Sequence, residues 1–205
     1  MEHTENTILL RGELVDLPRF SHENHRKQFF RFVLGVERLS GAMDQLPVIA
    51  EERVLETLDL SGGQMIRVEG QIRSHNLRQE GTRRLLIFVF ATAVCAEDGP
   101  PINEVSLCGP LCRTPLYRRT PLGREICDAM LAVPRAFRRA DYLPCILWGR
   151  TAGQIALCRT GDWVCLQGRL QSRVYTKLTD EGAQERTAYE ISAMSAQAIS
   201  QDLEL

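Results

Sequence analysis

NEVSLCGPL, Asn103 to Leu111, stands 97 residues after NTILLRGEL, Asn6 to Leu14, and the two share their Asn, aliphatic, Gly and final Leu positions. The match continues outward from these two stretches. Pro18 and Phe20 stand 97 before Pro115 and Tyr117, and Leu34, Val36 and Arg38 stand 97 before Leu131, Val133 and Arg135. LPVI, Leu46 to Ile49, stands 97 before LPCI, Leu143 to Ile146. After one inserted residue, Val68, Gly70, Ile72 and Ser74 match Leu166, Gly168, Leu170 and Ser172 at a spacing of 98. Matches in order at a nearly constant offset are the mark of an internal duplication. The 205 residues therefore divide into two domains, 1–98 and 99–205, each long enough to bury its own core.

Within each repeat the apolar period is two. Ile8, Leu10, Gly12 and Leu14 alternate with polar or exposed positions, as do Val105, Leu107, Gly109 and Leu111. That pattern argues a half-buried strand. A mid-strand Gly at one place in both repeats suggests a strand bent to close a barrel. Phe30, Phe32, Leu34 and Val36 give a second strand. Third strands fall at 45–50 and 142–149, fourth at 64–74 and 162–175, fifth at 83–94 and 185–195. Short helices are expected at 51–58 and 150–158. Glu-Gly turns in RQEGT (78–82) and TDEGA (179–183) punctuate the last hairpins, and EDGPPIN (97–103) is the linker. The expected fold is all-β: two tandem five-stranded OB-fold barrels, each with a short helix between strands 3 and 4.

Composition is that of a globular protein, with 44% hydrophobic and 25% charged residues. The start MEHTENT reads as neither a signal nor a transit peptide. The longest apolar run, LLIFVFATAVC (85–95), is too short to span a bilayer as a helix. Seven cysteines, odd in number and without a disulfide or zinc rhythm, suggest a reducing cytoplasm. Net charge is −1, so nothing draws the whole chain to nucleic acid. The charge is unevenly placed, with 12 basic and 15 acidic side chains in 1–100 against 13 and 11 in 101–205. The second half bunches Arg113, Arg118, Arg119 and Arg124, then Arg135, Arg138 and Arg139. Arginine both pairs with phosphate and stacks on flat rings.

The segments CRTPLYRRTPLGREICDAMLAVPRAF (112–137), DYLPCILWGRTA (141–152) and GDWVCLQGRLQSRVYT (161–176) resemble the bacterial single-stranded DNA-binding protein family over nearly all of the second repeat. The first repeat resembles it only in its hydrophobic frame. The resemblance implies base stacking on Phe137, Tyr142, Trp148 and Tyr175. Arg113, Arg118, Arg119, Arg138, Arg150, Arg169 and Arg173 would contact phosphate. Parity agrees in part. Tyr142 and Trp148 share one face of strand three. Gln167, Arg169, Gln171, Arg173 and Tyr175 share a polar, cationic face of strand four with Trp163. The family pattern asks for no ring at 163. In the first repeat the four stacking positions fall on Ser40, Gln45, Glu51 and Leu77, so that repeat is expected to serve assembly or a partner.

The resemblance further implies a non-catalytic protein of replication, repair or recombination, located in the cytoplasm on the nucleoid. It implies a homodimer supplying four barrels, with replication or primosome proteins as further partners. The ending AISQDLEL (198–205) has no long acidic tail of the kind many members use to recruit partners. The competing reading is an OB-fold adaptor between proteins, with weak nucleic-acid affinity. No metal or other cofactor is expected: His22 and His25 of SHENH lack a ligand set, SGG (61–63) precedes a strand and not a helix, and no nucleophile–base constellation stands in a recognisable context.

Overall fold

The computed structural model describes residues 4–79, 82–179 and 182–199, and in it both repeats are strand-built barrels. The first comprises β1 (Glu5–Asn24), β2 (Lys27–Glu37), β3 (Met43–Glu51), α1 (Glu52–Leu55), β4 (Met65–Gln79) and β5 (Thr82–Ala96). The second comprises β6 (Ile102–Pro110), β7 (Leu116–Arg119), β8 (Glu125–Arg135), β9 (Arg139–Trp148), α2 (Gly149–Ile155), β10 (Trp163–Thr179) and β11 (Gly182–Ile199). Each short helix follows strand three of its barrel, as expected, over fewer residues than 51–58 and 150–158. The two Glu-Gly turns fall partly, and residues 200–205 wholly, outside the described residues.

Alternation becomes burial. Ile8, Leu10 and Leu14 point inward, as do Val105, Leu107 and Leu111, all within the two cores. The bend expected at Gly12 is a close approach: a Cβ there would lie 2.2 Å from the carbonyl oxygen of Gly35 on β2. At Gly109 the nearest backbone is looser, 3.1 Å away. This difference follows from how each barrel closes. β1 runs on for 20 residues, pairing with β4 through its first half and with β2 through its second, with register shifts after Leu14. The alternation marks only 6–14 of that strand. In the second barrel the equivalent strand breaks after Pro110 and resumes as β7. Pro110 and Pro115 flank the gap, and neither can donate to a ladder. Closure there rests on one bridge, Leu111 with Leu131.

The barrels join through β1 and β6, which pair antiparallel with Ile8 opposite Val105. These two are each other's counterparts in the duplication, so the register has an internal two-fold. Other contacts obey it. Asn6 Nδ2 donates to the Ile72 carbonyl while Ile72 N–H donates to Asn6 Oδ1, both at 2.8 Å. Asn103 makes the same pair of bonds with Leu170, at 2.8 and 2.9 Å. Two buried carboxylates then clamp one barrel to the other. Asp44 accepts the backbone N–H of Ser172 at 2.7 Å and Arg38 Nε at 2.8 Å. Asp141 accepts the backbone N–H of Ser74 at 2.8 Å and pairs with Arg73 at 3.1 Å and Arg135 at 3.6 Å.

The reading of the cysteines needs correction. Cys108 and Cys165 form a disulfide, because β6 and β10 set them directly opposite each other. They are 57 residues apart in sequence, so no local spacing announces the pair. Cys95, Cys112, Cys127, Cys145 and Cys158 remain free thiols. Among the described residues no helix is long and apolar enough to cross a membrane.

Candidate nucleic-acid interface

The outer face of the second barrel is assembled from four neighbouring strands. On β9 the residues at 142, 144, 146 and 148 point out while Leu143, Cys145 and Leu147 are buried. Tyr142 and Trp148 therefore share this face, about 20 Å apart at the ordinary rise of a strand. On β10, Gln171 lies opposite Glu190, Arg173 opposite Ala188 and Tyr175 opposite Arg186. Tyr142 and Trp148 are each 42% exposed, Tyr175 37% and Phe137 94%. Rings so exposed are available to a stacking partner, whereas Trp163 is only 7% exposed.

Each ring is held differently. Trp148 ends β9 and its Nε1 donates to Ser192 Oγ on β11 at 3.3 Å, which fixes one edge and leaves the ring face open. Tyr175 lies under the Arg173 guanidinium, 5.7 Å from the ring centroid. The backbone N–H of Tyr142 donates to Ser74 Oγ of the first barrel at 2.7 Å, so the first barrel steadies the strand that carries it. Phe137 stands apart at the β8–β9 turn. It and Arg138 have φ of 61° and 53°, the left-handed region that bulky residues seldom occupy.

The arginines separate into paired and unpaired sets. A groove beside Trp148 gathers Arg113, Arg118 and Arg173 with Asp128 and Glu190. Arg118 Nε donates to Asp128 at 2.6 Å, Arg119 pairs with Glu125 at 3.0 Å, and Arg173 reaches Glu190 at 3.8 Å. Arg113, Arg138, Arg150 and Arg169 have no ion pair among the described residues. Arg150 sits on α2 next to Trp148, and Arg169 lines a separate depression with Arg38 and Met194. The groove thus unites four of the eleven candidate residues: Trp148, Arg113, Arg118 and Arg173.

Asp128 and Glu190 are the groups that sequence reasoning missed. Burial pushes the Glu190 carboxyl up, Arg173 opposes the shift and Asp128 adds to it. No periodicity flags them, since polar residues on an outer face are ordinary. The first barrel held a second surprise. On the corresponding face Glu51 replaces Trp148 and is tied to Lys27 at 3.2 Å and Arg53 at 3.0 Å. Its rings sit on other strands: Phe29 on β2 stacks on His22 at 4.9 Å and 12°, and Phe90 on β5 lies 6.1 Å from Phe29. Among the described residues no cluster of His, Cys, Asp and Glu could hold a metal.

The model of the Single-strand binding protein family matches residues 102–199. Over 80 residues the chain is 40% identical to Single-stranded DNA-binding protein B of Bacillus subtilis, covering 36% of this chain and 71% of that one. Over 105 residues it is 35% identical to a single-stranded DNA-binding protein of Oceanobacillus iheyensis, covering 47% and 62%. Among solved structures, the single-stranded DNA binding protein from Thermus aquaticus superposes with a TM-score of 0.79 at 23% identity, over 97% of this chain and 94% of that one. A deletion mutant of the same protein gives 0.78 at 24%, over 98% of each. These superpositions carry the two-barrel fold across the whole length. The sequence matches extend over at most about half of this chain.

Proposed function

The chain belongs to the single-strand binding protein family, and from that premise we propose that it binds single-stranded DNA, largely without regard to sequence and without catalysis. Bases stack on Trp148, Tyr142 and Tyr175, while Arg113, Arg138, Arg150 and Arg169 hold the phosphates. Arg118, Arg119 and Arg173 contribute less, since each already has a carboxylate. The observation that carries this reading is the outer face of the second barrel, where open rings and arginines stand side by side. Each stacked base contributes roughly 1–3 kcal/mol, and every base offers a π-face. Phe137, isolated at its turn, would meet the strand only as it leaves the face.

The division into 1–98 and 99–205 becomes a division of labour in this proposal. The second barrel takes the strand and the first holds it in place, through the Asp44 and Asp141 clamps and the Ser74 bond beneath Tyr142. A homodimer would supply four barrels to one strand. The setting we infer is replication, repair or recombination on the nucleoid in the cytoplasm, alongside other replication or primosome proteins. The adaptor reading has less behind it, because it gives no reason for Trp148 to stand exposed beside the unpaired Arg113.

Titration with a long oligothymidine, following tryptophan fluorescence, tests the proposal. Strong quenching is expected, with affinity falling linearly in log salt by about 0.7 per phosphate neutralised. Trp148→Ala should abolish most of the quenching. Absence of both quenching and retention at low salt would overturn the proposal.

A further inference from the structure

Beyond strand binding, the surface carries two unlike features that suit each other. The first is a groove of about 440 Å³ on the first barrel, between the outer half of β1 and α1. Leu17, Phe30, Leu55 and Leu58 form its floor. It exists because α1 is only one turn long and buries none of its residues, whereas α2 buries Ala152 and Ile155. Glu52, Glu56 and Asp59 line the groove too. None of these three carboxylates has an ion pair among the described residues. The corresponding part of the second barrel has no acidic residue in the first turn of its helix.

The second feature is the hairpin that joins β7 to β8. β7 is the free edge of the eleven-stranded sheet, and all four of its residues are exposed. Beyond it, Thr120 to Arg124 make a tight turn: Thr120 N–H donates to the Arg124 carbonyl at 2.9 Å and Gly123 N–H to the Thr120 carbonyl at 2.8 Å. The turn holds up Leu122, 85% exposed, with Arg124 beside it and free of any ion pair among the described residues. An aliphatic tip flanked by arginine matches an aliphatic groove flanked by carboxylates in both shape and sign.

We propose that the groove on the first barrel receives the Leu122 turn of a second copy of this chain. The two surfaces differ, so the contact is heterologous and repeats from copy to copy without closing on itself. Copies would then line up along one strand, each barrel pair helping to place the next. Of the arginines on this hairpin, Arg118 and Arg119 would stay with the strand and Arg124 alone would serve the neighbour.

Sedimentation of the full chain at low salt, free and on a long oligothymidine, reads this contact. Wild type should gain mass with concentration. Leu122→Asp should weaken that association by about tenfold or more, as loss of a central apolar anchor does. Glu56→Arg and Arg124→Glu should each weaken it, and the two changes together should restore it. Titration with an oligothymidine short enough for one protein unit reports strand binding separately, and these variants should match wild type there. A wild type that never associates would overturn the contact, as would association indifferent to Leu122→Asp or a double variant as weak as its parents. Failure to bind the short oligomer would instead count against the strand-binding reading and leave the free-solution test of the contact intact.

Discussion

The two barrels bury matching residues and present different ones. Leu10, Leu34, Leu46, Val68 and Ile72 in the first correspond to Leu107, Leu131, Leu143, Leu166 and Leu170 in the second, and all ten are core. On the outer face the match ends. Glu51, Gln45 and Leu77 stand where Trp148, Tyr142 and Tyr175 stand in the other barrel. After duplication, packing constrains the inside of both copies equally, because a core tolerates few changes of volume. Nothing constrains the outer face except what it touches. The comparison is therefore the basis of the proposed site: the residues that differ between the two outer faces are the ones proposed to meet the strand.

The clamp that both copies share should give the largest effect. Asp44 and Asp141 are 1% and 0% exposed, each with an arginine of its own barrel, Arg38 or Arg135, and a serine N–H from the opposite one, Asp141 with Arg73 as well. Alanine at either position leaves the arginine without its carboxylate and the N–H without its acceptor, and breaking a buried pair typically costs about 3–5 kcal/mol. Urea unfolding of Asp44→Ala and Asp141→Ala should show similar losses. If only one variant is destabilised, the two-fold describes the backbone and not the energetics.

A smaller effect separates the outer faces. Trp148→Ala should weaken oligothymidine binding by roughly 1–3 kcal/mol. Its counterpart Glu51→Ala should change binding by less than about 0.5 kcal/mol, as a surface change away from a binding site does. Equal losses from the two variants would mean that both faces hold the strand. The arginines refine the same contrast. Arg113→Ala removes an unpaired cation and should lower the salt slope by about 0.7, whereas Arg118→Ala should lower it less, since Asp128 already answers that charge.

How much of this the sequence disclosed depends on the kind of signal. Strand order and core were legible because a barrel imposes a period of two, and the duplication displays it twice. Trp148 and Tyr142 could be placed on one face by parity alone. The break between Pro110 and β7 was not legible, because the repeat match runs through it. The clamp was half visible: Asp44 and Asp141 share the 97 offset, but their partners Ser172 and Ser74 come from the other barrel, and only the joined structure sets them together. The rings at Phe29 and Phe90 escaped because they lie on β2 and β5, whereas the stacking candidates on strands of the second barrel, Tyr142, Trp148 and Tyr175, lie on β9 and β10. The Cys108–Cys165 bond escaped because β6 meets β10 only through the sheet.

A modest effect is expected at Glu190, for which the first barrel has no acidic counterpart: Phe88 occupies that place on β5, as the pairing of Val89 with Val48 and of Ile191 with Cys145 sets the match. Burial raises the Glu190 carboxyl above its ordinary range, with Asp128 adding to the shift and Arg173 opposing it. A raised acid binds its proton more tightly in the folded protein, so its contribution to stability is present at acid pH and lost as pH rises through the raised value. Strand binding follows the same sign. Ionised, Glu190 sets a negative charge beside Arg173 and opposes phosphate; protonated, it does not. Affinity for oligothymidine should therefore rise as pH falls through that raised value, above the range where ordinary carboxylates protonate. Glu190→Gln should bind more tightly at neutral pH, by about twofold to tenfold for one charge near the surface, and its pH dependence should be flatter. If Glu190→Gln keeps the slope of the wild type, the strand does not pass this carboxylate, and its path on the second barrel lies nearer Tyr142 than Arg173.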